Sequence, residues 1–295
     1  MAEQLPSGLG EIDLPGLPLF RRGKVRDTFD MGERLLMVST DRLSAFDSVL
    51  PTLIPDRGKV LTAMSRYWFR TTGDLVPNHL LPDDFGAVPR EAREPLRGRA
   101  MFVAKAERVD VECVVRGRLA GSGWQEYRAT GQLAEEPVPQ GLGFGDELPE
   151  LRFTPATKND RGHDENISRA RLAQMVGSEL ARRLEELSLR IFGLAQVHCR
   201  ECGFILVDTK FEFGFVNGAL TLIDELLTPD SSRLWELGRE SGVDPHGFDK
   251  QLVRDYLLAS GWDRTPPAPP LPSELVQETR HRYLEAARRI TGSSL

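Results

Sequence analysis

The chain has 295 residues, 40% hydrophobic and 28% charged, with 27 Gly and 20 Pro, a balance that excludes a collagenous, coiled-coil or wholly disordered protein. Its 38 Lys+Arg against 44 Asp+Glu leave a formal charge of −6, which argues against a general nucleic-acid binder but permits a local cluster of cations around a small anionic substrate. At about 150 residues per domain, the length suits two domains or one two-lobed unit that needs no disulfide or metal staple.

Residues 1–16 are rich in Gly, Pro and Leu and read as an irregular lead-in, without the basic and apolar regions of a secretory signal. Short strands are predicted at 17–20, 25–29 and 34–39, with turns at Gly23 and at 30–32, forming an antiparallel meander. Residues 58–72 have helical spacing, with Val60, Met64, Tyr67 and Trp68 on one face. Residues 101–105 and 109–115 read as a second strand pair, and 117–127 leave it as a Gly-rich loop entering a short helix. Residues 131–152 are rich in Gly, Pro and Glu and read as a surface excursion or flap. From 166 to about 199 the spacing of Leu172, Met175, Val176, Leu180, Leu184 and Leu187 predicts one long helix. Residues 204–215 and 219–223 form a hairpin about Asn217-Gly218. The stretch 265–272 is a stiff extended connector, and Pro272-Ser273 cap a last amphipathic helix over 274–290. Strands come in hairpins and helices in separate blocks, so the fold class is α+β. No apolar run approaches the roughly 18 residues a membrane helix needs, and three cysteines in a long chain fit a reducing compartment. The expectation is a soluble cytoplasmic protein with no membrane or nucleic-acid partner, a monomer or small homo-oligomer.

Four segments carry chemistry. The turn Arg21 to Asp27 is cationic, and Gly23 allows close backbone approach to a ligand, so Lys24 and Arg26 suit a polyphosphate; by itself the turn reads better as a solvated hairpin tip. The segment 39–47 sets polar side chains, ending at Asp47, directly after an apolar strand. Arg116 with Gly121, Ser122 and Gly123 suits a phosphate monoester, because a helix N-terminus attracts anions and a guanidinium can clamp one. In 207–214, Asp208, Lys210 and Glu212 alternate with Thr209, Phe211 and Phe213, which sets three charged groups on one face of a strand. Beyond the turn, Asp224 lies within reach of Glu212, and two carboxylates plus nucleotide oxygens suit Mg²⁺. Arg233 closes another anion-suited turn. Cys199-x-x-Cys202 beside His198 lacks a second metal-ligand pair and reads as a helix end.

In chain order, GKVRD at 23–27, STDRLSAFD at 39–47, ECVVRG and AGSGW within 112–124, HDENIS at 163–168, DTKFEFG at 208–214, IDELLTPDSSR at 223–233 and FDKQLVRDYL at 248–257 resemble the SAICAR synthetase family over about residues 17–290. The resemblance implies a two-lobed, ATP-grasp-like or kinase-like fold with a nucleotide cleft, divided as a nucleotide-covering lobe, 1–110, and a lobe with the metal and substrate sites, 111–295. It implies that ATP, L-aspartate and carboxyaminoimidazole ribonucleotide (CAIR) give SAICAR, ADP and phosphate, by way of an acyl phosphate. The implied ATP-binding residues are Gly23, Lys24, Val25 and Arg26; the implied Mg²⁺ ligands are Glu212 and Asp224. Arg116, Ser122, Lys210 and Arg233 are implied for the ribonucleotide, with Asp208, Lys210 and Glu212 as the catalytic face. The aspartate pocket is expected near Asp47, His163 and Asp164. The general base for the amine stays open among water, Asp208 and a phosphate oxygen. Two other readings use the same cleft: a small-molecule kinase and a non-catalytic nucleotide-binding module.

Overall fold

The computed structural model describes residues 6–158, 165–238 and 247–295. The predicted meander forms as β1 (Leu19–Arg22), β2 (Arg26–Asp30) and β3 (Arg34–Ser39), and β4 (Ala100–Ala104) adds to the far edge of β3, all antiparallel. Alternation along β3 sorts the faces: Leu36 and Val38 pack with Phe29 and Phe102 over Ile12, Leu14 and Leu96, while Met37, with Met101 and Val103 from β4, turns toward helix α1 (Arg57–Thr71).

The second sheet is built around β9 (Phe204–Val216), a 13-residue strand. On one edge it pairs β5 (Glu107–Arg108) and β6 (Val111–Arg118), and on the other β10 (Ala219–Ile223) and β11 (Ser232–Glu236). Outside β6 lie β7 (Glu147–Phe153) and β8 (Ala156–Thr157). Asn217 and Gly218 have positive φ of 51° and 78°, as a two-residue hairpin turn requires. Phe211 and Phe213 on β9 join Leu184, Ile191, Phe192 and Ala195 of a long helix in one core, so the opposite face of β9 is left to its charged side chains.

Three sequence expectations are corrected. The segments at 101–105 and 109–115 do not pair with each other: the first joins the N-terminal sheet and the second the central one. The long helix is two, α3 (Arg169–Val176) and α4 (Ser178–Glu201), because Gly177 at φ 86° cannot continue a right-handed helix. The excursion at 131–152 is partly sheet. Leu133, Val138 and Leu148 bury against Leu119 and Tyr127, and its last residues form β7, whose irregular register between Glu147 and Arg152 hid the strand's periodicity. The other long helices are α2 (Gly121–Thr130), α5 (Gln251–Ala259) and α6 (Ser273–Thr291), the last packed against α1, and a single helical turn spans Arg93–Leu96. Among the described residues no helix is long and apolar enough to cross a membrane.

Candidate active site

A cleft of about 730 Å³ lies against the polar face of β9, a size ordinary for a small-molecule site. One wall is the tip between β1 and β2. The Gly23 N–H donates to the Arg26 carbonyl at 2.7 Å, closing the turn. Arg42 secures it from beneath, donating to the Gly23 and Lys24 carbonyls at 2.9 and 3.1 Å while held by the fully buried Asp27. Lys24 meets Asp47 at 2.5 Å. Leu35, Met37, Val103, Ala104 and Ala106 give the cleft an apolar patch, which suits the flat face of a base.

Glu212 and Asp224 both line this cleft. The register pairs Glu212 with Ile223, so Asp224 is one residue past the cross-strand partner, with φ turned to 69°. Each carboxylate is held by cations. Glu212 accepts from Lys158 at 2.6 Å and Lys210 at 2.7 Å. Asp224 meets Arg26 at 2.8 Å, and the same guanidinium reaches Glu225 at 2.9 Å. Burial alone would raise the Glu212 carboxyl, but Lys210 and Lys158 hold it well below the usual range. Burial likewise opposes the charge on Lys210, yet Glu212 and Glu112 raise its ammonium well above the ordinary value. His79, also on the wall, is pushed down to about 4 by burial and is neutral at pH 7.

Next along β9, Asp208 stands between two arginines because its register partners are Arg116 on β6 and Arg233 on β11. Its Oδ2 accepts from Arg233 at 2.6 Å and from Arg116 at 3.2 Å. Arg116 also donates to Ser122 Oγ and to Thr154 Oγ1, both at 3.0 Å. Gly121 opens α2 against the Arg233 guanidinium: a Cβ there would lie 2.1 Å from Nη2. A hollow of about 190 Å³ beside it is lined by Gly121, Trp124, Phe144, Arg233, Trp235 and Gln251. Helix N-terminus, hydroxyl and two guanidiniums together present donors of the kind that suit a dianionic group.

A third cluster closes the base of the cleft. Asp230 accepts from Arg57, from Lys250 at 2.6 Å and from the Tyr283 hydroxyl at 2.9 Å. Burial would raise the Asp230 carboxyl, but Arg57 and Lys250 hold it far below the usual range; burial pulls Lys250 down by more than Asp230 restores.

Of the residues expected from sequence, Gly23, Lys24, Val25, Arg26, Asp47, Lys210, Glu212 and Asp224 share the large cleft. Arg116, Ser122, Asp208 and Arg233 form the neighbouring cluster, and His163 and Asp164 lie outside the described residues. Sequence reasoning missed Glu112, Lys158, His79, Thr154, Glu225, Asp230, Lys250 and Arg57. Glu112 carried a signal, since period two sets it on the same face of β6 as Arg116, alternating with Val111, Cys113 and Val115; Glu225 directly follows Asp224, and the others become neighbours only through tertiary contact. Tyr67 and Cys202 both meet His198 Nε2, which packs at the C-terminal end of α4, and no group of three or more His, Cys, Asp or Glu among the described residues is arranged to hold a metal.

The model of the SAICAR synthetase family matches residues 19–269. The phosphoribosylaminoimidazole-succinocarboxamide synthase of Syntrophobacter fumaroxidans is 49% identical over 290 residues, 97% of this chain and 96% of that protein. Its counterpart from Thermodesulfovibrio yellowstonii is 50% identical over 285 residues, 95% of this chain and 98% of that one. A solved structure described as the SAICAR synthase from Saccharomyces cerevisiae complexed with SAICAR superposes with a TM-score of 0.89 at 38% identity, covering 97% of this chain and 99% of the other. A SAICAR synthetase (type 2) in complex with ADP shares the fold at a TM-score of 0.69 and 23% identity, over 93% and 98% of the two chains.

Proposed function

The chain belongs to the SAICAR synthetase family, which catalyses the ATP-dependent ligation of L-aspartate to CAIR in purine biosynthesis, and from that premise we propose how its own residues share the work. The observation that carries the reading is the shared cleft: two acidic side chains from neighbouring strands face one cavity rimmed by Lys24, Arg26, Lys158, Lys210 and Lys250.

ATP lies with its base toward Leu35, Met37 and Val103 and its phosphates beneath the tip at Gly23, Lys24 and Val25. Glu212 and Asp224 are the residues that would hold Mg²⁺; their hard carboxylate oxygens suit it, with nucleotide oxygens and water completing the shell. When bound, the ion offsets charge on the phosphates. Arg26 keeps Asp224 and Glu225 oriented. Arg116, Ser122 and Arg233 hold the phosphate end of CAIR, with Asp208 fixing both guanidiniums, and Lys210 draws its carboxylate toward the nucleotide. A carboxylate is a poor electrophile. Its oxygen attacks the γ-phosphorus, the bond to the β-phosphate oxygen breaks, and ADP leaves behind an acyl phosphate. The neutral amine of aspartate then attacks the acyl carbon, and inorganic phosphate departs with the former carboxylate oxygen. All three reactants are anionic, and holding them in line can lower the barrier by roughly 7–11 kcal/mol. The aspartate side is assigned to the rim at Asp47.

The same reading divides the molecule into a nucleotide-covering lobe, 1–110, and a metal- and substrate-binding lobe, 111–295, and puts the enzyme in the cytoplasm, in keeping with its three free cysteines. The test labels the CAIR carboxylate with oxygen-18. One labelled oxygen in each inorganic phosphate released supports the acyl phosphate, and unlabelled phosphate overturns it. ADP release should need CAIR, aspartate and Mg²⁺ together.

A further inference from the structure

Two lysines and two glutamates close a ring on the cleft wall. Lys158 Nζ lies 3.1 Å from Glu112 Oε1 and 2.6 Å from Glu212 Oε1, and Lys210 Nζ lies 2.7 Å from each of the same oxygens. The signs alternate, so the four groups are neutral as a set. Both ammonium groups converge on a single oxygen of Glu212, the carboxylate assigned above to the metal.

The two lysines are mounted differently. Lys210 sits in the middle of β9, two residues from Glu212 on the same face, its backbone N–H bonded to the Ser231 carbonyl at 3.0 Å. Lys158 follows β8, outside the ladder, and its side chain reaches Glu212 from another segment of chain; its backbone N–H bonds Asp110 at 3.3 Å. A divalent cation at Glu212 would meet two ammonium groups already gathered on one oxygen of that carboxylate, like charges within a few ångströms of one another. That repulsion favours the withdrawal of one ammonium, and the lysine outside the ladder is the one whose mounting allows it.

We propose that Lys158 is a charge placeholder for the divalent cation at Glu212, its ammonium leaving the two glutamates when the metal enters and passing to the anionic ligand that comes with it. The inference rests on the metal reading of Glu212. It gives Lys158 a positioning role: it keeps the two acids from repelling each other without metal and sets how tightly metal binds.

The experiment titrates the full-length protein with Mn²⁺ and follows the electron paramagnetic resonance signal of the unbound ion, without CAIR or aspartate. Lys158→Met should bind Mn²⁺ on the order of tenfold more tightly than the parent, the usual scale of a coupling between two sites. Lys158→Arg, which keeps the cation, should stay close to the parent. Lys105→Met should also stay close, because it removes a lysine that pairs with Asp30 outside the cleft; circular dichroism checks that each variant is folded. If Glu212→Gln weakens Mn²⁺ binding while Lys158→Met fails to tighten it, the placeholder is overturned and the metal reading stands. If Glu212→Gln binds Mn²⁺ as the parent does, the metal reading fails and the placeholder with it.

Discussion

Arg26 and Asp224 are 198 positions apart in the chain and meet at 2.8 Å in the fold, joining the N-terminal sheet to the central one across the cleft. The same guanidinium reaches Glu225, so one cation compensates two neighbouring acids. Arg26→Ala leaves both uncompensated in a largely desolvated site, a defect that typically costs about 3–5 kcal/mol. Urea unfolding should show a loss of that order. Arg26→Lys should recover only part of it, since an ammonium cannot fork to two carboxylates. A midpoint unchanged in the alanine variant would mean the bridge contributes nothing.

Glu212→Gln keeps the shape of the side chain and removes its charge. Turnover should fall on the order of a hundredfold or more, the scale of losing one electrostatic clamp on developing charge. The near-ultraviolet circular dichroism should match the parent. Near-normal ADP release would take Glu212 out of the site.

Stability against pH should carry the mark of His79. Burial depresses its imidazole to about 4, whereas the unfolded chain takes up that proton near 6.5. Between those two values the unfolded state binds the proton and the native state does not, so stability falls as pH drops through the window. The loss amounts to roughly 3 kcal/mol by pH 4, at about 1.4 kcal/mol per pH unit. Glu212 and Asp230, held low by their cations, give stability that is present above about 4.3 and lost below it, so they do not contribute between 6.5 and 5; Asp249 and Glu185, raised by burial, act with the opposite sign, and the comparison with a His79 variant separates the histidine from them. His79→Gln should show a flatter stability profile over that interval; parallel profiles for variant and parent would contradict the assignment.

Gly121 has φ 52°, and a Cβ there would lie 2.1 Å from Arg233 Nη2. Arg233 can swing aside, but only by giving up its 2.6 Å contact with Asp208. Gly121→Ala should therefore raise KM for CAIR well above its effect on KM for ATP, together with a modest fall in melting temperature, since an alanine at positive φ costs about 1–2 kcal/mol. Equal effects on both substrates would place the damage in the fold.

Asp230 supports Arg57, Lys250 and Tyr283 from three different elements. Asp230→Asn should cost about 3–5 kcal/mol, as for breaking a buried ion pair, and Tyr283→Phe about 1 kcal/mol, the value of one hydrogen bond. Urea midpoints that rank the two variants in the opposite order would refute the charge-centred account.

Local pattern was enough to find β1 to β3, α1, the hairpin of β9 and β10 and the C-terminal helix, because each is set by periodicity and turn chemistry within a few residues. It was enough, too, to put Asp208, Lys210 and Glu212 on one face, since a strand alternates whatever surrounds it. What lay beyond reach was the company those residues keep. Thr154 follows β7, a strand whose irregular register disguised it, and Lys158 follows β8; Asp230 meets Arg57 and Tyr283 together only because α1 and α6 pack at the base of the cleft. The residue types and their local order thus determined the chemistry available to this protein: anion binding, paired acids, a strand with one charged face. Tertiary structure alone decided which cation compensates which acid, because a charge pair depends on a few ångströms of distance and on exclusion of water, and both arise when segments nearly two hundred residues apart close on one another.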